Sequence, residues 1–422
     1  MLNTMMPDIS SILYLALARK SYCNLYRFTM TMNEEVDRNV LQKAADQIHD
    51  RFAMLMCGFQ SSFFHDVQTF CQKRIQVVED AQKLKILSKK EIETCPARIL
   101  VKENQLSIEF FHALTDGYGA VAYISTLTAE YLKLRYDMSI PMGYPVIPIL
   151  DEVKEEEIRD EYFSCASKTA AKLNRVAAYQ LPRDNKKESM IHTAEKVFSL
   201  KDLKTVSKSF GVSPTAFLSE IMAESFMQHQ LAQKKTLKPV RIMIPVNLRG
   251  FYPSTTFRNF IETIHVTFHH EDIQKTRQER LEHFKKEMKS QLNQEHLFGL
   301  VKAHVDVQQS LLFKWAPKAI KYFAFKIGYA LFGESNSTLT FTNLGVVNLP
   351  QEMHPYVQKI DCYLSPRAGS PYNCAMITYQ DHVSLNFSSF NHTESIENAV
   401  YSRISQILNS SKELQTDFQD NF

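Results

Sequence analysis

Two spacings of apolar residues follow one another near the start of the chain. Arg27, Thr29 and Thr31 alternate with apolar neighbours, which is the pattern of a β-strand. Beyond Asp37 the apolar residues recur with the period of a helix, at Val40, Leu41, Ala44, Ala45 and Ile48. Acidic residues precede the first turn of this segment, as a helix N-terminus favours. The pattern therefore predicts a strand followed by a helix.

Similar transitions recur along the chain. Residues 97–113 contain two β-rich runs around a polar turn, which predicts a hairpin, and residues 117–136 have the composition of a helix. Beyond residue 190 we predict a strand, two helices with Ser213 and Pro214 at the start of the second, and two more strands. A helical region from Gln274 to about Phe332, further strands and a terminal helix complete the chain. Because strands and helices do not alternate regularly as in a doubly wound sheet, we expect an α+β fold.

A polar region separates two halves of the chain. Residues 151–162 form a charge run, and residues 181–189 are polar with an early proline. Such runs are typical of solvated surfaces and crossovers. With 422 residues, two domains of ordinary size are expected. We place the halves at residues 1–189 and 190–422.

Composition narrows the classes of function. The net charge of +3 is too small to indicate a nucleic-acid partner. The seven cysteines are dispersed without paired spacing, which favours reduced thiols in the cytoplasm over a disulfide framework. The apolar residues 10–18 lack a preceding basic region, so we interpret them as a strand or short helix rather than a signal peptide. No window approaches the roughly 20 apolar residues of a membrane span.

The most informative short pattern is His112, Asp116 and Gly117, placed between a predicted strand and a predicted helix. At the end of a strand, an imidazole with a pKa near about 6.5 can act as a general base on a hydroxyl or an amine. Gly117 would allow the backbone to start the helix. Two alternatives stay open. His112 could be a partly buried structural histidine with Asp116 capping the helix, or the two could bind a metal, which the intervening turn disfavours.

Two further segments contain candidate chemistry. His265, His269, His270 and Asp272 resemble a metal-binding cluster, but strand spacing would place His265 and His269 about 13 Å apart. We therefore expect a solvated strand end and no metal. The segment from Phe313 to Phe332 carries four lysines among aromatic and aliphatic residues, at positions Lys314, Lys318, Lys321 and Lys326. Packing against the fold is expected, and contact with a membrane or an acyl chain is the alternative.

The sequence FFHALTDGYGA, residues 110–120, resembles the HHxxxDG motif of the condensation-domain and chloramphenicol acetyltransferase-like superfamily, especially its alcohol acetyltransferase-like members. Three other stretches resemble family segments in the expected order: GVSPTAFLSEIMAESF (residues 211–226), IPVNLRGFYPSTTFRNF (residues 244–260) and LTFTNLGVVNLP (residues 339–350). The resemblance extends from about residue 10 to residue 410. Phe111 replaces the first motif histidine, and the DFGWG motif of plant BAHD acyltransferases is absent, which argues against that branch.

The resemblance implies a pseudo-dimer of two acetyltransferase-like α/β sandwich halves with a tunnel at their junction. His112 would be the general base. Asp116 would pair with an arginine, for which Arg249 is the best match and Arg258 the second. The strand at residues 339–350 would cross toward the first half, where Thr342 and Asn343 would face the tunnel. Thr342 and Asn343 are also candidate donors to an oxyanion, or simply polar residues at a strand end.

The implied function is a stand-alone acyltransferase that moves an acyl group from coenzyme A, or from an acyl carrier protein, to an alcohol. Acyl-CoA would be a co-substrate, with no bound cofactor. An amide-forming condensation enzyme, with an amine acceptor, is one alternative, and a non-catalytic binding module with the same fold is another. A base at position 112 disfavours the second alternative, because a module without turnover needs none.

Overall fold

The strands form three sheets within the residues that the computed structural model describes, which are 4–19, 22–81, 84–172, 174–182, 190–233, 237–367, 372–391 and 395–419. In chain order the strands are β1 (Thr4–Met5), β2 (Leu25–Met32), β3 (Cys57–Ser61), β4 (Asp66–Phe70), β5 (Val77–Glu79), β6 (Ala97–Lys102), β7 (Gln105–Phe111), β8 (His192–Ser199), β9 (Val240–Asn247), β10 (Ile261–Phe268), β11 (Leu339–Val346), β12 (Val357–Leu364), β13 (Tyr372–Tyr379) and β14 (His382–Ser389).

Helices pack on the sheets and connect them. They are α1 (Ile9–Leu17), α2 (Arg38–Ile48), α3 (Lys89–Thr94), α4 (Gly117–Tyr136), α5 (Glu155–Ile158), α6 (Tyr162–Cys165), α7 (Leu200–Ser209), α8 (Pro214–Ala232), α9 (Arg277–Gln291), α10 (Gln294–Gln309), α11 (Leu311–Trp315), α12 (Lys318–Gly328) and α13 (Ser395–Gln419). No helix in the described residues combines the length and the apolar character that crossing a membrane requires.

The first sheet has the strand order β12-β2-β7-β6-β5 and packs against α2 and α4. Its centre is the predicted hairpin β6–β7, whose turn places Glu103 at a φ of 50°. Helix α4 is buried on all sides from Gly119 to Leu132, as an interior helix should be. These elements share one hydrophobic core, and they place the end of β7 at the middle of the molecule.

The second sheet has the order β10-β9-β11-β13-β14-β8 and forms a separate hydrophobic core with α8 and α13. The predicted start of α8 is confirmed, because the Ser213 side chain accepts a hydrogen bond from the Ala216 amide and Pro214 occupies the first turn. Two sheets with separate cores, each covered by helices, confirm the predicted α+β class.

One strand crosses between the halves, and it is not the strand that the resemblance indicated. The segment that contains β11 was expected to cross toward the first half, but β11 lies inside the second sheet and pairs in parallel with β9 and β13. The crossing strand is β12, which pairs antiparallel with β2 along Val357–Leu364. The predicted boundary at residues 189/190 adjoins residues 183–189, which lie outside the described part of the chain.

Candidate active site

A cavity of about 780 Å³ lies between the first and second sheets. Its walls come from β2, β9, β10, β11 and β12 and from helices α1, α10 and α12. Three lining residues on separate elements, Tyr144, Val307 and Val346, are about half exposed, so the cavity reaches solvent. The predicted residues His112, Asp116, Gly117, Arg249, Thr342 and Asn343 all line it.

His112 directly follows β7 and is partly exposed to the cavity. Its backbone amide donates to the Asn24 carbonyl at 2.7 Å, which continues the register of the sheet by one residue. The imidazole packs between Tyr14 and Tyr26, with ring centroids 4.6 Å and 5.0 Å away. The ring is therefore held between two aromatic side chains while one edge faces the cavity.

Asn259 fixes the proton position on the imidazole. The Nδ1 atom of His112 lies 3.0 Å from Oδ1 of Asn259, and the Asn259 amide nitrogen donates to the Asp8 carboxylate at 3.3 Å. A carboxylate accepts hydrogen bonds, so Asp8 turns the amide of Asn259 with its oxygen toward His112. Nδ1 of His112 then carries the proton, and the lone pair on Nε2 can accept one.

Burial lowers the pKa of His112 below its ordinary value of 6.5, and the negative charge of Asp116 opposes this effect. The cause is the loss of hydration in a position enclosed by protein on every side but the cavity. A lowered pKa means that the ring is neutral at pH 7, which is the state that a general base requires.

Asp116 does not contact His112, and both of its carboxylate oxygens are used elsewhere. Oδ1 accepts from the Tyr118 amide and caps α4, while Oδ2 accepts from the Phe260 amide at 2.9 Å. Oδ2 also forms an ion pair with Arg249 at 2.7 Å. The Asp116 and Arg249 side chains are only 2% and 7% exposed, so this is a buried pair.

Arg249 joins α4 to the segment that carries Asn259. Besides Asp116, its guanidinium donates to the carbonyls of Thr256 and Arg258, at 2.6 Å and 2.8 Å from Nη2. It also lies over the Tyr118 ring, 4.4 Å from the centroid. Arg258, the second candidate, instead lies 3.6 Å from Asp8 and donates to a carbonyl near the N-terminus.

The other predicted residues have unequal roles in the geometry. A Cβ atom on Gly117 would lie 2.6 Å from the end of the Leu344 side chain, so glycine allows β11 to approach α4 closely. The Asn343 amide donates to Thr215 at 2.8 Å and its oxygen accepts from the Gly345 amide. Asn343 is therefore already engaged, and Thr342 is the freer of the two candidates for an oxyanion donor.

The expectation of a solvated strand end is wrong for His265. Alternation along β10 puts Ile264, Val266 and Phe268 in the second core, so His265 lies on the opposite face, which lines the cavity. Burial and the nearby Arg241 and Arg367 lower the pKa of His265 to about 3. The expectation holds for His269 and His270, which are exposed.

The lysine-bearing segment forms α11 and α12 and covers part of the cavity. Lys321, Phe325 and Gly328 of α12 line the cavity, while Ile320 and Phe323 on the other side of the helix are exposed. Lys318 pairs with Asp66 at 2.9 Å, and Lys321 donates to the Phe64 carbonyl. The segment thus packs on the fold and leaves apolar side chains in solvent.

Sequence reasoning missed the residues that orient His112. Asn259 was quoted only as part of a family-like stretch, and Asp8 and Tyr14 carried no recognisable signal at all. The one available hint was the polar Asn259, two residues before the start of β10. These residues are far apart in the chain, and only the folded structure brings them to the imidazole.

Comparisons with known proteins identify the fold. No family model matches the chain, and no curated protein matches it in sequence. Solved structures do match. The TRI3 trichothecene 15-O-acetyltransferase from Fusarium sporotrichioides has 11% identity over 96% of this chain and 94% of its own, with a TM-score of 0.60. TRI101 from F. sporotrichioides, solved with coenzyme A and T-2, has 11% identity over 94% of this chain and 97% of its own, with a TM-score of 0.61.

The first condensation domain of the CDA synthetase is also similar, with 10% identity, coverage of 96% of this chain and 94% of that chain, and a TM-score of 0.57. The chain therefore has the two-half fold shared by condensation domains and chloramphenicol acetyltransferase-like acyltransferases. An O-acetyltransferase and a condensation domain are thus both among its structural neighbours, and the fold that the resemblance implied is confirmed.

Proposed function

We propose that this protein transfers an acyl group from a coenzyme A thioester to an alcohol, with His112 as the general base. The observation that carries the proposal is the position of His112, which lines the cavity between the sheets and whose Nδ1 is bonded to Asn259. The similarity to an O-acetyltransferase and to a structure that contains coenzyme A supports this choice of acceptor and donor. A carrier-protein thioester is the alternative donor.

The proposed reaction balances without a covalent enzyme intermediate. Nε2 of His112 takes the hydroxyl proton as the alcohol oxygen attacks the thioester carbonyl. The tetrahedral intermediate then collapses, the carbon–sulfur bond breaks, and the imidazolium returns the proton to the thiolate. The products are an ester and a free thiol. Thr342, which lines the cavity, remains the candidate donor to the oxyanion, and Asp116 and Arg249 hold the Asn259 segment in place.

An amine acceptor is the second candidate, and it makes the reaction an amide-forming condensation. The fold is shared with condensation domains, and the same base serves both nucleophiles. Contact with a lipid-like substrate or a membrane also stays a prediction, which the exposed Trp315 and Phe323 of α11 and α12 support.

A thiol-release assay tests the proposal. The purified protein is incubated with acetyl-CoA or longer acyl-CoA and with a panel of alcohols and amines, and free thiol and acylated product are both measured. We expect acceptor-dependent thiol release matched by ester formation. Thiol release that is no faster with any acceptor than without one would favour the non-catalytic binding module.

The pH dependence of the reaction should reflect the lowered pKa of His112. A general base works only when neutral, so kcat/KM should be constant above the pKa of His112 and fall about tenfold per pH unit below it. Because burial lowers this pKa, the midpoint of the fall should lie below pH 6.5. The measurement is kcat/KM from pH 4.5 to 8.5 with an alcohol that does not ionise in this range. A midpoint above pH 7 would contradict the assignment of a buried neutral base.

A further inference from the structure

Two buried arginines line the cavity without an ion-pair partner in the part of the chain that the structure describes. Arg241 and Arg367 are 5% and 4% exposed, and neither forms an ion pair with a carboxylate of the described residues. Two other buried charges that line the cavity are compensated, because Asp116 pairs with Arg249 and Glu262 lies 3.0 Å from His304. Buried charges in proteins are ordinarily paired, because an unpaired one is strongly unfavourable. The imbalance points to a missing negative charge.

The hydrogen bonds of these arginines are also incomplete. Arg241 donates through Nη1 to Asn336 and to the Asn174 carbonyl, and Arg367 donates to Ser337 at 2.7 Å and to the Gly333 carbonyl at 3.3 Å. All of these acceptors are neutral. The Nε atom of each arginine is buried and has no hydrogen-bond partner among the described residues. Nε is half of the planar fork that arginine offers to a carboxylate or a phosphate.

His265 also has a buried polar atom without a hydrogen bond. Nε2 of His265 is buried with no hydrogen-bond partner among the described residues. His265 is opposite Met243, which is two residues from Arg241 on the same face of β9. Arg241 and Arg367 bind the adjacent residues Asn336 and Ser337, so the three side chains lie close together. With a pKa of about 3 the ring is neutral at pH 7, so it can donate one hydrogen bond to an anion. The hydroxyl of Ser365, which also lines the cavity, is likewise buried and unpaired.

The strand register gives the distance from His112. Ile261, two residues beyond Asn259, is opposite Asn247, while His265 is opposite Met243 and Arg241 is opposite Thr267. At about 3.3 Å per residue, His265 lies about 13 Å along β10 from Ile261, and Arg241 lies about 20 Å along β9 from Asn247. The unsatisfied group is therefore at the opposite end of the same cavity from the imidazole.

From these observations we infer that Arg241, Arg367 and His265 form an anion subsite, which binds a carboxylate or phosphate at one end of a substrate while His112 faces the other end. This inference rests on the proposed function for the reacting end only. The low exposure of both arginines favours a small anionic group, such as a carboxylate or a single phosphate, in direct contact with them. Two substrates could supply the group, namely an acyl acceptor with an acidic end and the phosphates of coenzyme A.

Binding measured without turnover tests the subsite independently of catalysis. Titration calorimetry compares the wild type with Arg241→Gln, Arg367→Gln and the double variant, using coenzyme A and a length series of ω-hydroxycarboxylic acids as probes. Primary alcohols of the same lengths are the neutral controls. Arg74→Gln removes one positive charge from an exposed pair and is the matched protein control. Each subsite substitution should weaken binding of the relevant anion about 10- to 100-fold, with no effect on neutral alcohols.

The two sets of probes distinguish the acyl acceptor from coenzyme A as the source of the anionic group. A loss restricted to the hydroxy acids assigns the subsite to the acceptor, and a loss restricted to coenzyme A assigns it to the donor. Either result supports the subsite even if no thioester is consumed. Equal affinities for acidic and neutral probes, unchanged in the double variant, overturn it even if acyl transfer occurs. Arg241→Lys keeps the positive charge but lacks the planar fork of the guanidinium. Its affinity for the anion should lie between the affinities of the wild type and of Arg241→Gln. This result would distinguish a loss of anion recognition from misfolding.

Discussion

The His112→Ala variant should lose about 10²–10⁴ in kcat/KM while it keeps its fold, because a positioned general base contributes about this much. The reason is specific to the geometry. The Asn259 oxygen holds the proton on Nδ1, so Nε2 is the atom that removes the proton from the acceptor. The measurement is the initial rate of thiol release, with circular dichroism and thermal unfolding on the same preparations.

The main competing interpretation of His112 is a structural histidine. In that case the variant would unfold at lower temperature, because its contacts with Tyr14 and Tyr26 are lost, but the folded fraction would retain its activity. His269→Ala, at an exposed position, controls for loss of a histidine in general. Full activity per folded molecule in His112→Ala would defeat the proposed mechanism.

The Asp116→Ala variant should be destabilised by about 3–5 kcal/mol, because it leaves the Arg249 charge buried and uncompensated. Turnover should fall as well, because the same arginine binds the carbonyls of Thr256 and Arg258 in the segment that leads to Asn259. Urea denaturation measures the stability change. The Arg249→Met single variant and the Asp116→Ala/Arg249→Met double variant complete a cycle that isolates the pair.

The chain provides a matched exposed pair for this cycle. Asp50 and Arg74 are separated by 2.9 Å at the surface, and Asp50→Ala should cost less than about 1 kcal/mol. In the buried pair the double variant should be less destabilised than the sum of the two single variants. If Asp116→Ala were as stable and as active as Asp50→Ala, neither a structural nor a positioning role for the ion pair would survive.

Individual strands and helices were predictable because the residue pattern that favours each one lies within its own short segment. The alternation around Arg27 gave β2, the helical period after Asp37 gave α2, and Ser213 with Pro214 gave the start of α8. The path of β12 was not predictable, because strand pairing between residues more than 300 positions apart depends on the whole topology. The family-like stretch that contains β11 indicated a crossing strand, but the strand that crosses follows it in the chain.

The residues of the candidate site also differ in whether the sequence alone could predict them. His112 and Asp116 were found from their place between a predicted strand and a predicted helix, and Arg249 was found through the resemblance. The structure brings Asp116 and Arg249 together. Their functional roles stay predictions. Asn259 and His265 were not found, because each is one polar residue at or within a strand. Alternation could place His265 on the face opposite Ile264, but only the packing of the sheets reveals that this face borders a cavity.

The exchange of β12 limits how the two halves can move. A strand from the second half, β12, is joined to β2 by a ladder of backbone hydrogen bonds. Moving the two halves apart would therefore break these hydrogen bonds. We therefore expect ligands to enter the cavity without the two sheets moving apart. A fragment that stops at residue 189 would leave β2 as an unpaired, aggregation-prone edge, so we expect that the predicted first half does not fold stably by itself.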